Sequence, residues 1–298
     1  MARASQDHQP VAIAGAARTG RQGHRPETST TRDLYHYTDS NGLLGIVTKK
    51  AMRATDVQFL NDGEELVYAA REISARLRSR AEELCPEGRE ETTDGTRWGR
   101  AERLRGIAAG VDGHADGRYA QVFVTCFCNH HDLLSQWRGY GRSGGFALGF
   151  DSAALASTAQ EIGGRLERVL YGAEAVAPLI AEMEGLPPTG HPGASGYAYA
   201  QREVLPWLAR VKNSAFKEEN EWRVTVDRAT DLFFRSGGNL GVVPYVCIGF
   251  AEEALRQVVI GPGPHPKLRR LGAEKLLQAS GYKHVEVAES AIADSYRS

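Results

Sequence analysis

Residues 119–128 read YAQVFVTCFC, and this stretch decides the fold class. Valine, phenylalanine, threonine and tyrosine crowd it, and apolar residues run on without alternation, as in a strand covered on both faces. HHDLLSQWRGYG (130–141) follows and reads as a helical turn or short helix ending at Gly139 or Gly141, and GGFALGFD (144–151) is another buried strand. Here two dense strands are divided by one short helix. The rest of the chain repeats that unevenness. DLYHYT (33–38) and AMRAT (51–55) read as short strands around a helix capped by Asp39 or Ser40. Residues 59–84 form a helix with Leu66, Ala69, Ile73 and Leu77 on one stripe, introduced by the capping-box-like pair Asn61/Glu64. Strands at LERVLYG, NEWRVTV, VVPYVCIGF, QVVIGPGPHP and HVEVAES are separated by helices at 152–162, 174–184, 197–215 and 266–280. Regular βαβ alternation is absent, so the expected class is α+β with a mixed, largely antiparallel sheet and helices packed around it.

Residues 1–32 are polar and aperiodic and read as a disordered N-terminal arm; a basic arm touching a polyanion is the sharper alternative. Residues 33–298 read as a single domain, with an insertion at 86–117 around a short helical stretch and a helical segment at 174–215. The net charge of -1 supplies no global field toward nucleic acid or membrane. The four cysteines, Cys85, Cys126, Cys128 and Cys247, form no disulfide framework. VAIAGAA (11–17) is too short for a signal segment or a bilayer span, so a cytoplasmic protein is expected.

Three separated segments carry candidate chemistry. In LYHYT, Tyr35 and Tyr37 share one strand face and His36 and Thr38 the other; His36 is either a satisfied core histidine or a donor–acceptor for a polar ligand. In SQWRGYGRSGG, Trp137 and Tyr140 stand i, i+3 on a helix and can share a face that stacks on a planar ring, with Ser135 in the same motif. The glycine-rich turn and Arg142 behind them suit a phosphate, or merely cap the helix. In EENEWR, strand geometry extended back to Glu219 sets Glu219 and Glu221 on one face about 7 Å apart, with Arg223 continuing the row, while Trp222, Val224 and Val226 make the opposite face the buried one. Two close carboxylates raise each other's pKa and suit acid–base or cation-stabilising work; a solvated charge row is the plain alternative. Asn61 and Asp62 cap a helix or, for Asn61, contact a ligand. In CFCNHH, Cys126, Cys128 and His130 share a face but lack a second ligand pair, which favours a buried strand over zinc.

The ordered set LYHYT, FLNDGEE, SQWRGYG with GFALGF, FKEENEWRV, VVIGPG and the 289–297 segment resembles the bacterial domain-of-unknown-function family 2971 (DUF2971), over residues 33–297. More loosely, a histidine-bearing first strand followed by a helix and second strand is similar to the start of ADP-ribosyltransferase folds. That resemblance implies a split sheet and an enzyme transferring ADP-ribose from NAD to an unidentified protein or nucleic-acid acceptor, in a toxin or antiphage setting, with no metal and no membrane partner. It implies that His36 binds the NAD ribose, Tyr37 and Thr38 help place the nicotinamide end, and Trp137 or Tyr140 stacks. Glu221 then serves as the catalytic glutamate, paired with Glu219. The Ser-Thr-Ser motif of some such enzymes is missing. Two other readings stand beside it: a non-catalytic nucleotide-binding or sensing module, and a metal-dependent hydrolase or nuclease built on His36, Glu219, Glu221 and Asp62.

Overall fold

In this computed structural model the described residues are 32–60, 65–87, 95–115, 122–141, 144–172, 176–185, 204–227 and 231–292. Residues 1–31 of the arm, Asn61, Asp62, Arg142 and the end of the 289–297 motif lie outside them. Along the chain run β1 (Asp33–Thr38), α1 (Ser40–Lys49), β2 (Ala51–Asp56), α2 (Glu65–Leu84), α3 (Gly95–Ala115), β3 (Val122–Cys128), α4 (Leu134–Tyr140), β4 (Phe146–Asp151), α5 (Ser152–Glu161), β5 (Arg165–Arg168) and β6 (Leu170–Tyr171). There follow α6 (Ala177–Glu184), α7 (Leu205–Leu208), β7 (Val211–Lys212), β8 (Glu221–Asp227), β9 (Phe233–Ser236), β10 (Val242–Gly249), β11 (Leu255–Ile260), α8 (Pro266–Ala279) and β12 (Glu286–Glu289). The pairs β1–β4, β4–β11, β2–β3, β3–β8 and β9–β10 are antiparallel, and β11–β12 and β6–β7 are parallel. The protein is α+β with a mixed, largely antiparallel sheet.

The chain groups into two compact units: one of residues 1–53, 129–165 and 247–298, the other of 54–128 and 166–246. The sequence reading treats 33–298 as one domain. Neither unit is a continuous stretch, because the chain passes between them four times, so no linker marks the division.

In the first unit β4 is buried at every position and lies between β1 and β11. Phe150 meets Phe250 edge-on at 5.0 Å. The α1 helix starts where Asp39 accepts from the Gly42 amide at 2.8 Å and buries Leu43, Ile46 and Val47.

In the second unit α2 buries Ala69, Ile73 and Leu77 of the expected stripe, with Leu66 half-buried and Ala70 and Ala81 added, against α3. The α3 helix departs from expectation. Residues 86–117 contain not a short helical stretch but 21 residues of helix, because Ala101, Leu104, Ile107, Ala108 and Val111 recur every three or four positions and form a buried seam. The single helix expected over 197–215 is also corrected among the described residues. The helical turn α7 gives way to β7, whose two residues pair with β6, and then to a 3₁₀ segment, Ser214–Glu219. The β-branched Val211 is fully buried there, and Lys212 finds acidic partners that a helix would not bring to it. Among the described residues no helix is long and apolar enough to cross a membrane.

Candidate functional site

Charged side chains from four segments of the second unit meet in its interior. Glu221 and Arg223 project from the same face of β8, two residues apart, as strand periodicity requires. Glu65 comes from the first turn of α2, Lys212 from β7, and Glu219 from the end of the 3₁₀ segment. Arg223 donates from Nε to Glu221 Oε1 at 2.6 Å, from Nη2 to Glu221 Oε2 at 3.0 Å and to Glu65 Oε2 at 2.7 Å, and from Nη1 to the Ala209 carbonyl at 2.7 Å. Lys212 Nζ lies 2.8 Å from Glu65 Oε1, 2.8 Å from Glu219 Oε2 and 3.3 Å from Glu221 Oε2, with the Phe216 ring 4.7 Å away. The Glu221 amide donates to the Tyr171 hydroxyl at 2.8 Å. Cys126, opposite Arg223 across the β3–β8 ladder, also hydrogen-bonds the Glu221 carboxylate.

Three features correct the sequence reading. The strand does not reach back to Glu219: Asn220 turns it away with φ +43°, in the left-handed region asparagine tolerates. Glu219 and Glu221 converge all the same, because Lys212 draws both. The charged face of β8 is not the solvent face, since Glu221 and Arg223 are only 5% and 2% exposed. Each charge there has an opposite partner, which makes burial tolerable. The mutual raising of the two carboxylates holds for one alone. Burial pushes both upward, but in Glu221 the charge and hydrogen bonds of Arg223, with Lys212, overcome it and hold the carboxyl down at about 2. In Glu219 burial prevails over Lys212 and the carboxyl stays raised. Three carboxylates face two cations, so the cluster carries one surplus negative charge. Glu219, with 17% of its side chain exposed, is the member that reaches the rim.

His36, Tyr37, Thr38, Ser135, Trp137 and Tyr140 belong to the first unit, and Glu219, Glu221 and Arg223 to the second. Asn61 and Arg142 lie outside the described residues. His36 is half-buried opposite Leu148 of β4. Tyr37 is buried; its hydroxyl donates to the His130 carbonyl at 2.7 Å and accepts from the Leu133 amide at 3.0 Å. Its ring meets Trp137 edge-on, with centroids 4.7 Å apart. Trp137 is buried too and donates from Nε1 to Asp132 Oδ1 at 2.7 Å, while Tyr140 is 39% exposed. The two aromatics of α4 therefore do not share a face: Trp137 points into the core, and only Tyr140 offers a ring to solvent. A Cβ on Gly261 would lie 2.5 Å from the Trp137 ring, so the first glycine of GPG makes room for that indole. Ser135 has a buried hydroxyl with no hydrogen-bond partner among the described residues.

Sequence reasoning missed Glu65, Lys212, Asp132 and Ser290. Asp132 gathers Trp137 Nε1, Ser290 Oγ at 2.6 Å and the Ala291 amide at 2.7 Å. Glu65 and Ser290 both lie within the quoted motifs, FLNDGEE and the 289–297 segment, so their presence there was the available signal. Among the described residues no group of three or more His, Cys, Asp and Glu is arranged to hold a metal; the space among Glu65, Glu219 and Glu221 is taken by the Lys212 ammonium.

Fold and site together define an α+β protein with a buried carboxylate–cation network at the start of one strand. Residues 136–224 match the model of a family described as Protein of unknown function (DUF2971), the family that the motifs resemble. The match takes in Trp137, Tyr140, Glu219, Glu221 and Arg223 and does not extend to His36. No curated protein and no solved structure matches the chain.

Proposed function

We propose that the chain is an ADP-ribosyltransferase-like enzyme that cleaves the nicotinamide–ribose bond of NAD and passes ADP-ribose to an acceptor. The observation that carries this reading is the surplus negative charge of the Glu65–Glu219–Glu221 cluster over Lys212 and Arg223. Breaking that bond builds oxocarbenium-like positive charge on the ribose, and a fixed negative charge stabilises it most where water is excluded. Glu221 is held ionised at about 2 and does not serve as an acid at neutral pH. Its part is to remain charged and to hold the network in register. Glu219, at the rim, is the carboxylate with access to a ligand.

A second reading is favoured by a different observation: both Glu221 oxygens are already engaged by cations. A network so well satisfied suits a non-catalytic nucleotide-binding or sensing module, in which the cluster only holds β8, β7 and α2 together. Incubation with NAD labelled in the adenylate half, with and without cell extract, separates the two. Label transfer or nicotinamide release, lost in Glu219→Gln and Glu221→Gln, supports the enzyme. NAD binding without turnover supports the module. A protein that neither binds nor turns over NAD ends both readings as they concern NAD.

A further inference from the structure

Among the described residues nine large apolar side chains are strongly exposed, and five of them, Leu232, Phe233, Phe234, Leu240 and Val242, fall within eleven positions of the second unit. They belong to the β9–β10 hairpin. Among the described residues β9 pairs only with β10, so its other edge presents backbone N–H and C=O groups with no described partner. Edge strands of soluble proteins are ordinarily blunted with charge, proline or a bulge. β9 has none of these along FFRS beyond Arg235, and apolar rings flank it on both faces. Phe233 stacks on Tyr245 at 5.8 Å, and Phe234, opposite Pro244, is 62% exposed.

We infer that β9 is a dimerisation edge, pairing antiparallel with β9 of a second copy of this chain about a two-fold axis at Phe234. The charges select both the occupant and the direction. Asp231 stands two positions ahead of Phe233, just before the strand, and continuing the strand backward at the interface carries it into the row of Phe233 and Arg235. A second copy laid antiparallel sets Phe234 against the partner's Phe234 on one face. On the other face it sets Phe233 against the partner's Arg235, with Asp231 diagonal to that same arginine. These are close cross-strand pairs: aromatic on aromatic, cation over ring, and opposite charges. A parallel copy would set Asp231 against Asp231 and Arg235 against Arg235 and repel. Among the described residues Arg235 makes one long hydrogen bond, 3.4 Å from Nη2 to Thr55 Oγ1, a weak contact that the new pair can replace. The edge is symmetric with itself, as a two-fold dimer interface requires. It is short, so the dimer is a weak one with Kd on the order of micromolar.

The test is the mass in solution of the full chain, by light scattering or sedimentation, from about 1 µM to about 200 µM, spanning that Kd. Wild type is expected to pass from monomer to dimer over that range. Phe234→Lys is expected to remain monomeric with an unchanged circular dichroism spectrum, since the side chain is exposed. Arg235→Asp is expected to weaken the dimer at least about tenfold, and Asp231→Arg/Arg235→Asp to restore it, because the diagonal pair is re-formed with signs exchanged. The register has its own readout. Under mild oxidation Phe234→Cys is expected to form covalent dimers much faster than Ser236→Cys or wild type, because position 234 meets itself within bonding reach while the two copies of 236 stand about 14 Å apart. A wild-type monomer at every concentration, a Phe234→Lys protein that still dimerises, or equal crosslinking at 234 and 236 overturns the inference.

Discussion

Arg223→Met is the sharpest perturbation of the buried network. The guanidinium makes four hydrogen bonds there, two to Glu221, one to Glu65 and one to the Ala209 carbonyl. Without it Glu65, Glu219 and Glu221 face a single cation, and the surplus buried charge grows from one to two. Methionine fills most of the space, so the loss is electrostatic rather than a cavity. Removing one partner of a buried ion pair costs about 3–5 kcal/mol, because the charge left behind is uncompensated. With melting shifts of about 2–4 °C per kcal/mol for chains of this size, the melting temperature falls by roughly 10 °C. The assay is urea unfolding followed by circular dichroism, with a thermal melt as a cross-check. The companion protein Glu65→Gln/Glu221→Gln/Arg223→Met removes the stranded charges as well and is expected to recover at least about half of the loss, since a fully neutral replacement escapes the desolvation cost. A loss below about 1 kcal/mol in Arg223→Met, or no recovery in the triple variant, refutes the view that these charges hold one another in place.

Two further outcomes follow from the same geometry. Glu221 has a folded pKa of about 2 against an ordinary 4.5, so the stability it contributes is complete above pH 4.5 and is lost as pH falls toward 2. Between pH 7 and pH 3 the drop is about 2 kcal/mol, moderated by Glu219, whose raised pKa works in the opposite sense. Unfolding free energies at pH 7 and pH 3 measure it, and Glu221→Gln should flatten that pH dependence; an unaltered slope contradicts the assignment. Asp132→Ala removes the acceptor for Trp137 Nε1, Ser290 Oγ and the Ala291 amide. It should cost about 1–3 kcal/mol, shift tryptophan fluorescence and speed hydrogen exchange at 290–292. Unchanged exchange there means that Asp132 does not tether the segment.

Much of the fold was legible because local chemistry and tertiary environment agreed. VFVTCFC and FALGFD are strands covered by their neighbours, Asp39 caps its helix, and the stripe of α2 faces the core as its spacing requires. The α3 helix was obscured by its many glycines and arginines, which hide the seam of Ala101, Leu104, Ile107, Ala108 and Val111. The site was legible in part. Glu221 and Arg223 share a face as strand periodicity dictates, and Arg223 keeps Glu221 ionised. Glu65 was signalled only by its place in FLNDGEE and Lys212 by nothing local, since both join the row through pairing and packing across distant segments. Trp137 and Tyr140 parted because Asp132 and the Gly261 approach pull one ring inward, a tertiary effect that helical spacing alone does not carry.

Nicotinamide release from NAD by the purified protein, followed chromatographically and compared among wild type, Glu219→Gln and Glu221→Gln, tests the proposed activity most directly. The expected result is release by wild type above the uncatalysed rate and a fall of about a hundredfold or more in both variants, the scale of losing one preorganised electrostatic group. Wild-type release no faster than buffer, in the presence of cell extract as acceptor, contradicts it.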